Sequence, residues 1–270
     1  MRSIPTSLGV LAVYDTGLAG RAAVSSQVLV LWHPVLTDHH IYDAQVAALR
    51  GRHRLILIDG PGHGASGASP GTFSMARCAD AVVQLLDALE IVQPVVFIGT
   101  SWGGLVAGEF ALSHADRTRA VVMLNTPVFK SNARFRDGFV TWGARWLKGT
   151  NVYAQGVAEN YFMPETRKRE AVFMDEFRKH IRRARGAALA HAVRSVLLER
   201  EDLASRLQSI AAPTLFVAGT HDPMCPVDTL RHAAAQLPRG RFVELPTAHL
   251  SVVDAPAETT RAIDSFLNEL

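Results

Sequence analysis

Short, nearly unbroken apolar runs recur along the chain, and each is followed by a stretch of helical period. Val28-Leu29-Val30-Leu31, Leu55-Ile56-Leu57-Ile58, Val95-Val96-Phe97-Ile98, Val121-Val122-Met123-Leu124, Leu215-Phe216-Val217-Ala218 and Phe242-Val243-Glu244-Leu245 read as strands. Most lack alternation, so they predict strands covered on both faces. Leu8 to Tyr14 reads as an earlier strand. Helices are predicted over Tyr42–Leu49, Ser74–Leu89, Trp102–Ser113, Val227–Leu237 and Ala257–Leu267. In the second of these, Met75, Ala79, Val82, Val83, Leu86 and Leu89 form one apolar stripe. Strand and helix alternate, which predicts an α/β fold with a mostly parallel sheet and helices on both faces. The rhythm breaks between about Val128 and Ser209, where no strand-like run occurs.

Length and composition narrow the picture. At 270 residues and 48% hydrophobic, the chain suits one large domain with an inserted subdomain. No apolar run reaches the ~18–20 residues of a membrane span. Met1-Arg2-Ser3-Ile4-Pro5 has no signal-peptide apolar core, so the cytoplasm is the expected location. Two cysteines, Cys78 and Cys225, provide neither a disulfide framework nor a metal set, and no cofactor or metal is expected. Residues 128–209 hold 16 Lys/Arg against 9 Asp/Glu, while the whole chain is only +3. Arg167-Lys168-Arg169, Arg178-Lys179, Arg182-Arg183 and Arg185 carry much of that excess. On a helix whose buried stripe is Phe173, Phe177, Ile181 and Ala184, these residues fall on the solvated side. A nucleic-acid role is not expected, because no recognition fold accompanies the charge.

The chemistry begins at Gly99-Thr100-Ser101-Trp102-Gly103, a G-x-S-x-G pattern between an apolar strand and a helix. Such a turn holds its serine in a strained conformation, and small neighbours leave room for the bend. The hydroxyl is then presented at a helix N-terminus, where backbone N–H groups can receive developing negative charge. Ser101 is therefore the candidate nucleophile.

Its partners lie downstream. Asp222 follows the strand ending at Gly219, in a loop at the strand's C-terminal end. Alone, an Asp ahead of a helix is better read as a cap. His249 follows the last strand, in Pro246-Thr247-Ala248-His249-Leu250, and alone could be an ordinary loop histidine. His221 is set aside as the base because adjacent turn residues point apart. The order Ser, Asp, His makes His249 the general base and Asp222 the group that orients it. Asp59-Gly60-Pro61-Gly62-His63-Gly64-Ala65-Ser66 lacks the spacing of a phosphate loop and reads as a tight turn beside the site.

With these motifs the chain resembles the serine-type α/β-hydrolases. It is most similar to the 3-oxoadipate enol-lactonases and the non-haem haloperoxidase-like esterases. Asp59 to Ser66, Gly99 to Gly104, Gly219 to Asp222 and Ala248-His249-Leu250-Ser251 carry the likeness, with Asp254 and Pro256 after them. It covers about residues 8–127 and 206–270. The resemblance implies a hydrolase core over 1–127 and 206–270 and a helical cap over 128–205. It implies oxyanion donors at the N–H groups of Trp102 and Val35. The usual His-Gly is here His33-Pro34, which stiffens that loop. The family's alternative acid position is occupied by Asn125, which favours Asp222.

A pocket is expected near His33, Pro34, Trp142, Trp146, Arg134 and Leu250, with His33 bonding to loop backbone rather than reacting. The expected substrate is a small-molecule ester or lactone, with water as acceptor. An anionic substrate clamped by cap arginines is the sharper form of that reading. A C–C bond hydrolase with the same triad and a slow-turnover receptor on this scaffold remain alternatives. No nucleic-acid or membrane partner is expected. The oligomeric state is open, a homodimer included.

Overall fold

The computed structural model describes residues 1–17, 27–130, 150–183 and 186–270. Eight strands form one sheet: β1 (Arg2–Thr6), β2 (Gly9–Asp15), β3 (Val28–Trp32), β4 (Arg54–Ile58), β5 (Val95–Thr100), β6 (Thr118–Leu124), β7 (Thr214–Gly219) and β8 (Gly240–Leu245). Their spatial order is β1-β2-β4-β3-β5-β6-β7-β8. β2 pairs antiparallel with β1 and β4, and every other neighbouring pair is parallel. The doubly covered, mostly parallel sheet expected from the sequence is present. β1 carries no apolar run and escaped the sequence reading. As an edge strand it tolerates Pro5, which removes a ladder donor that a central strand needs.

The two-residue period of the strands sorts their side chains into two layers. Val28, Val30, Trp32, Val95, Phe97, Val121 and Met123 pack on one face. There they meet α2 (Met75–Ala88) and α3 (Trp102–Ser113) through Val82, Leu85, Leu105 and Phe110. Leu29, Leu31, Val96, Ile98, Val122 and Leu124 pack on the other. Leu49 of α1 (Asp43–Leu49) closes that layer with Ile263 and Phe266, which lie on the C-terminal helix, Pro256–Leu267. Runs that are apolar at every position are thus what a two-faced sheet requires. Ser74 sets the start of α2 by accepting the Arg77 N–H at 3.1 Å.

Between β6 and β7 the described residues are helical. They form α4 (Asn151–Tyr161), α5 (Pro164–Arg169), α6 (Ala171–Arg183) and α7 (Gly186–Val193), then a π-helical turn, Arg194–Glu199, and a 3-10 segment, Ala204–Ser209. Met174, Phe177 and Ile181 are the buried stripe of α6, and Phe173 is only half-buried. Ala184, expected in that stripe, lies outside the described residues, as does Arg185. Five of the basic residues here have partners. Arg178 bonds Gln155, Arg182 bonds Asn151, and Lys179 pairs with Asp175 and Glu176. Arg167 pairs with Glu159 and Arg169 with Glu170. The stretch is tied to the core near the strand ends. Arg206 pairs with Glu109 of α3, the Phe73 N–H donates to Ser195 Oγ, and the Leu203 and Ala204 N–H groups donate to the Val128 carbonyl. After β7 come α8 (Val227–Ala234), α9 (Ser251–Asp254) and α10 (Pro256–Leu267). Among the described residues no helix is long and apolar enough to cross a membrane.

Candidate active site

Ser101 stands between β5 and α3 with φ 53° and ψ −109°, a left-handed conformation strained for any residue but glycine. Its N–H donates to the Leu124 carbonyl at 2.8 Å, which fastens the turn to β6. The neighbouring glycines are dictated by space. A Cβ on Gly103 would overlap the Trp32 carbonyl, and one on Gly99 would overlap the backbone of Gly103. Leu36 and Asn125 also have positive φ, at 69° and 47°. All three strained residues follow the C-terminal ends of central parallel strands, which is where open α/β sheets place ligands.

Asp222 follows β7 and is 7% exposed; His249 follows β8 and is 1% exposed. His249 Nδ1 donates to Asp222 Oδ2 at 2.8 Å. The same oxygen accepts the Asn125 amide at 3.1 Å, and Oδ1 accepts the N–H groups of Met224 (2.8 Å) and Cys225 (3.1 Å). Burial alone would raise this carboxyl. The charge and hydrogen bond of His249, with the Met224 and Asn125 donors, hold it below the usual carboxylate range. Asp222 is therefore a charged acceptor that fixes the His249 tautomer with Nε2 unprotonated. No hydrogen bond joins Ser101 Oγ to His249 among the described contacts; nucleophile–base bonds are commonly long until substrate arrives.

The His249 loop is held from three sides. Asn125 Nδ2 donates to the Ala248 carbonyl at 3.0 Å, and the Ala248 N–H donates to Asp254 at 2.8 Å. The Leu250 N–H donates to the Tyr161 carbonyl at 3.0 Å, and the Tyr161 ring lies 5.3 Å from that of His249. His221, by contrast, is exposed and bonds Thr220.

The loop after β3 is locked by two neutral histidines. His33 accepts the Gly60 N–H at Nε2 (2.9 Å) and donates from Nδ1 to the Pro34 carbonyl (2.6 Å). His63 accepts the Leu36 N–H at Nε2 (3.0 Å) and donates from Nδ1 to Pro61 (3.0 Å). These tautomers follow from the partners. Burial drives both rings down, His63 to about 3, so neither charges at ordinary pH. His33 thus has the backbone-bonding place expected of it. The Val35 carbonyl accepts the Tyr161 hydroxyl at 2.8 Å, and burial keeps that phenol protonated. Neither the Val35 nor the Trp102 N–H has a partner among the described residues.

Ser101, Asp222, His249, Val35, Trp102, His33, Pro34 and Leu250 therefore gather at one end of the sheet. Arg134, Trp142 and Trp146 lie outside the described residues. The sequence reading missed the Asn125 amide as a donor to Asp222 and the double role of Tyr161. A polar residue ending an otherwise apolar strand was the available signal for Asn125. A cavity of about 720 Å³ opens nearby between Thr37–Asp43, Gly62–Gly67 and α6, but none of Ser101, Asp222 or His249 lines it.

The chain is similar to known hydrolases in sequence and in fold. 3-Oxoadipate enol-lactonase 2 of Acinetobacter baylyi is 26% identical over 243 residues, covering 88% of each chain. The crystal structure of the enol-lactonase from Burkholderia xenovorans superposes with TM-score 0.87 at 27% identity, covering 96% of each chain. A malate-bound esterase from Thermogutta terrifontis superposes with TM-score 0.88 at 26% identity, covering 99% of this chain and 98% of its own. The family model described as the alpha/beta hydrolase fold matches residues 27–256, and this chain belongs to that family.

Proposed function

We propose that the chain is a serine hydrolase that cleaves a small-molecule carboxylic ester or lactone through an acyl-enzyme. The observation that carries this reading is the pairing of a strained serine at the end of β5 with a buried Asp–His pair at the ends of β7 and β8. The enol-lactonase and esterase relatives support the choice of bond.

Ser101 Oγ attacks the carbonyl carbon while His249 Nε2 takes its proton. The oxyanion settles on the Trp102 and Val35 N–H groups, which no other described group occupies. His249 passes the proton to the leaving oxygen, then deprotonates the water that releases the acid. Residues 128–205 act as a cap, through which Tyr161 braces both the oxyanion loop and His249. Arg167, Arg169, Arg178, Lys179 and Arg182 already have partners, which favours a substrate selected by shape and apolar contact over one clamped by those charges.

The test is kcat/KM for a neutral lactone beside a carboxylate-bearing enol-lactone of similar size. Ser101→Ala is expected to lose about 10⁴-fold or more on either. Hydrolysis by Ser101→Ala at the wild-type rate would sink the proposal. A 100-fold preference for the anionic lactone, weakening with salt, would return the clamp to cations outside the described residues.

A further inference from the structure

Cys225 lies against the Asp222–His249 pair and has no part in the proposed hydrolysis. It is 2% exposed. Its thiol donates to the Asn125 carbonyl at 3.3 Å, and Sγ lies 3.9 Å from His249 Nδ1. A carboxylate oxygen of Asp222, Cys225 Sγ and a ring nitrogen of His249 all fall within 4.8 Å of one another. Asn125 Oδ1, on a side chain already bonded to Asp222, is buried without a hydrogen-bond partner among the described residues.

We propose that Asp222, Cys225 and His249 form a binding site for a soft divalent metal ion of the zinc and cadmium class, and that the ion inhibits. That it inhibits rests on the hydrolase reading; the binding does not. A tetrahedral zinc with ordinary bond lengths holds its sulfur and nitrogen ligands about 3.5 Å apart, and its nitrogen and oxygen ligands about 3.4 Å apart. The structure has 3.9 Å and 2.8 Å for the corresponding pairs. These two separations therefore change by only about 0.4 Å and 0.6 Å on insertion of the ion. Thiolate and imidazole also suit such ions better than magnesium or calcium.

The charges close. The ion's two positive charges meet one carboxylate and one thiolate, so the buried site stays neutral. The thiol proton leaves to water. The Nδ1 proton of His249 is displaced, and the ring takes a proton at Nε2, so one proton is released for each ion. That tautomer is the cause of inhibition. With its lone pair at Nδ1 given to the metal, the imidazole keeps a proton at Nε2 and cannot accept one from Ser101.

Cadmium added to the full chain without substrate tests the site directly. The expected result is one ion bound per chain by equilibrium dialysis, with a thiolate-to-cadmium charge-transfer band in the ultraviolet. Cys225→Ser removes the band. It also raises the cadmium concentration for half-inhibition, relative to each variant's own uninhibited rate, beyond the ~10–100-fold that outer-shell changes at metal sites cost. No band, or a band that survives in Cys225→Ser and so comes from Cys78, overturns the site. Unchanged inhibition in Cys225→Ser places the ion elsewhere, such as the Asp38–His39–His40 group, and also overturns it. A band without inhibition overturns the inhibitory role. Because the band is read without turnover, its failure is distinct from any failure to hydrolyse esters.

Discussion

Asn125 Nδ2 donates to the Asp222 oxygen that also receives the His249 N–H, at 3.1 Å and 2.8 Å. The amide thus stands beside the Asp–His pair, at the end of the strand next to β7. A carboxylate in its place would lie close to the imidazole. Asp222→Asn alone is expected to cost about 10⁴-fold in kcat, by analogy with the wrong-tautomer effect in serine proteases. Combining Asp222→Asn with Asn125→Asp should recover at least ten-fold of that loss. Asn125→Asp alone should be harmful, because two carboxylates about 3 Å apart cannot both ionise. Steady-state kinetics on the three variants would settle this, and a double variant no faster than Asp222→Asn would refute it.

Tyr161→Phe probes the brace between the helical stretch and the oxyanion loop. The hydroxyl is the hydrogen-bond donor to the Val35 carbonyl, so its loss loosens the peptide just after the residue whose N–H we assign to the oxyanion. The expected effect is a fall in kcat with KM little changed. Its ceiling is the roughly 10²–10³-fold worth of one oxyanion donor. A change confined to KM would instead make Tyr161 a substrate contact.

Gly103→Ala should be among the costliest single changes in the chain. The added Cβ would overlap the Trp32 carbonyl, which is backbone of a central strand and has nowhere to move. Overpacking typically costs ~1–3 kcal/mol where side chains can adjust. Here the loss should reach or exceed the top of that range, read as a lower urea midpoint. Gly156→Ala, with nothing within 4 Å of the added carbon in the middle of α4, should be neutral or mildly stabilising.

These sites also show what was legible in the sequence. The five central strands were readable because both faces are buried, so the sequence had to be apolar at every position. Ser101 was readable because its strained turn requires glycines at fixed spacing. β1 was not, because an edge strand with Pro5 needs little apolar character. The stripe of α6 was read one position off at Phe173, which is half-buried while Met174 is buried. Helical period alone leaves that boundary open when neighbours on both flanks are apolar. The Tyr161–Val35 bond was out of reach, since it joins residues 126 positions apart across two elements.

Asp59 should set a pH window for stability. Its carboxylate accepts the His39 N–H (3.0 Å), His39 Nδ1 (2.9 Å) and the Ala65 N–H (2.9 Å), and so pins the turn after β4 to the loop after β3. Burial would raise this acid, but the His39 bond and charge and the Ala65 N–H lower it to about 2. An acid depressed on folding adds stability above its unfolded value, near 3.9, and loses it as pH falls through the folded one. Starting from 3.8, the shift is worth about 2 kcal/mol at neutral pH. His39 runs the other way. Its burial lowers it, but the Asp59 bond and charge leave it raised overall. That contribution is full below about 6.5 and fades as pH rises through the folded value. The pair therefore contributes most between about pH 4 and 6.5. Asp59→Asn should lower the urea-derived stability most near pH 5.5, with a smaller gap from wild type at pH 9. A gap that is the same at both values would mean that hydrogen bonding alone, and not the charge on His39, fixes this turn.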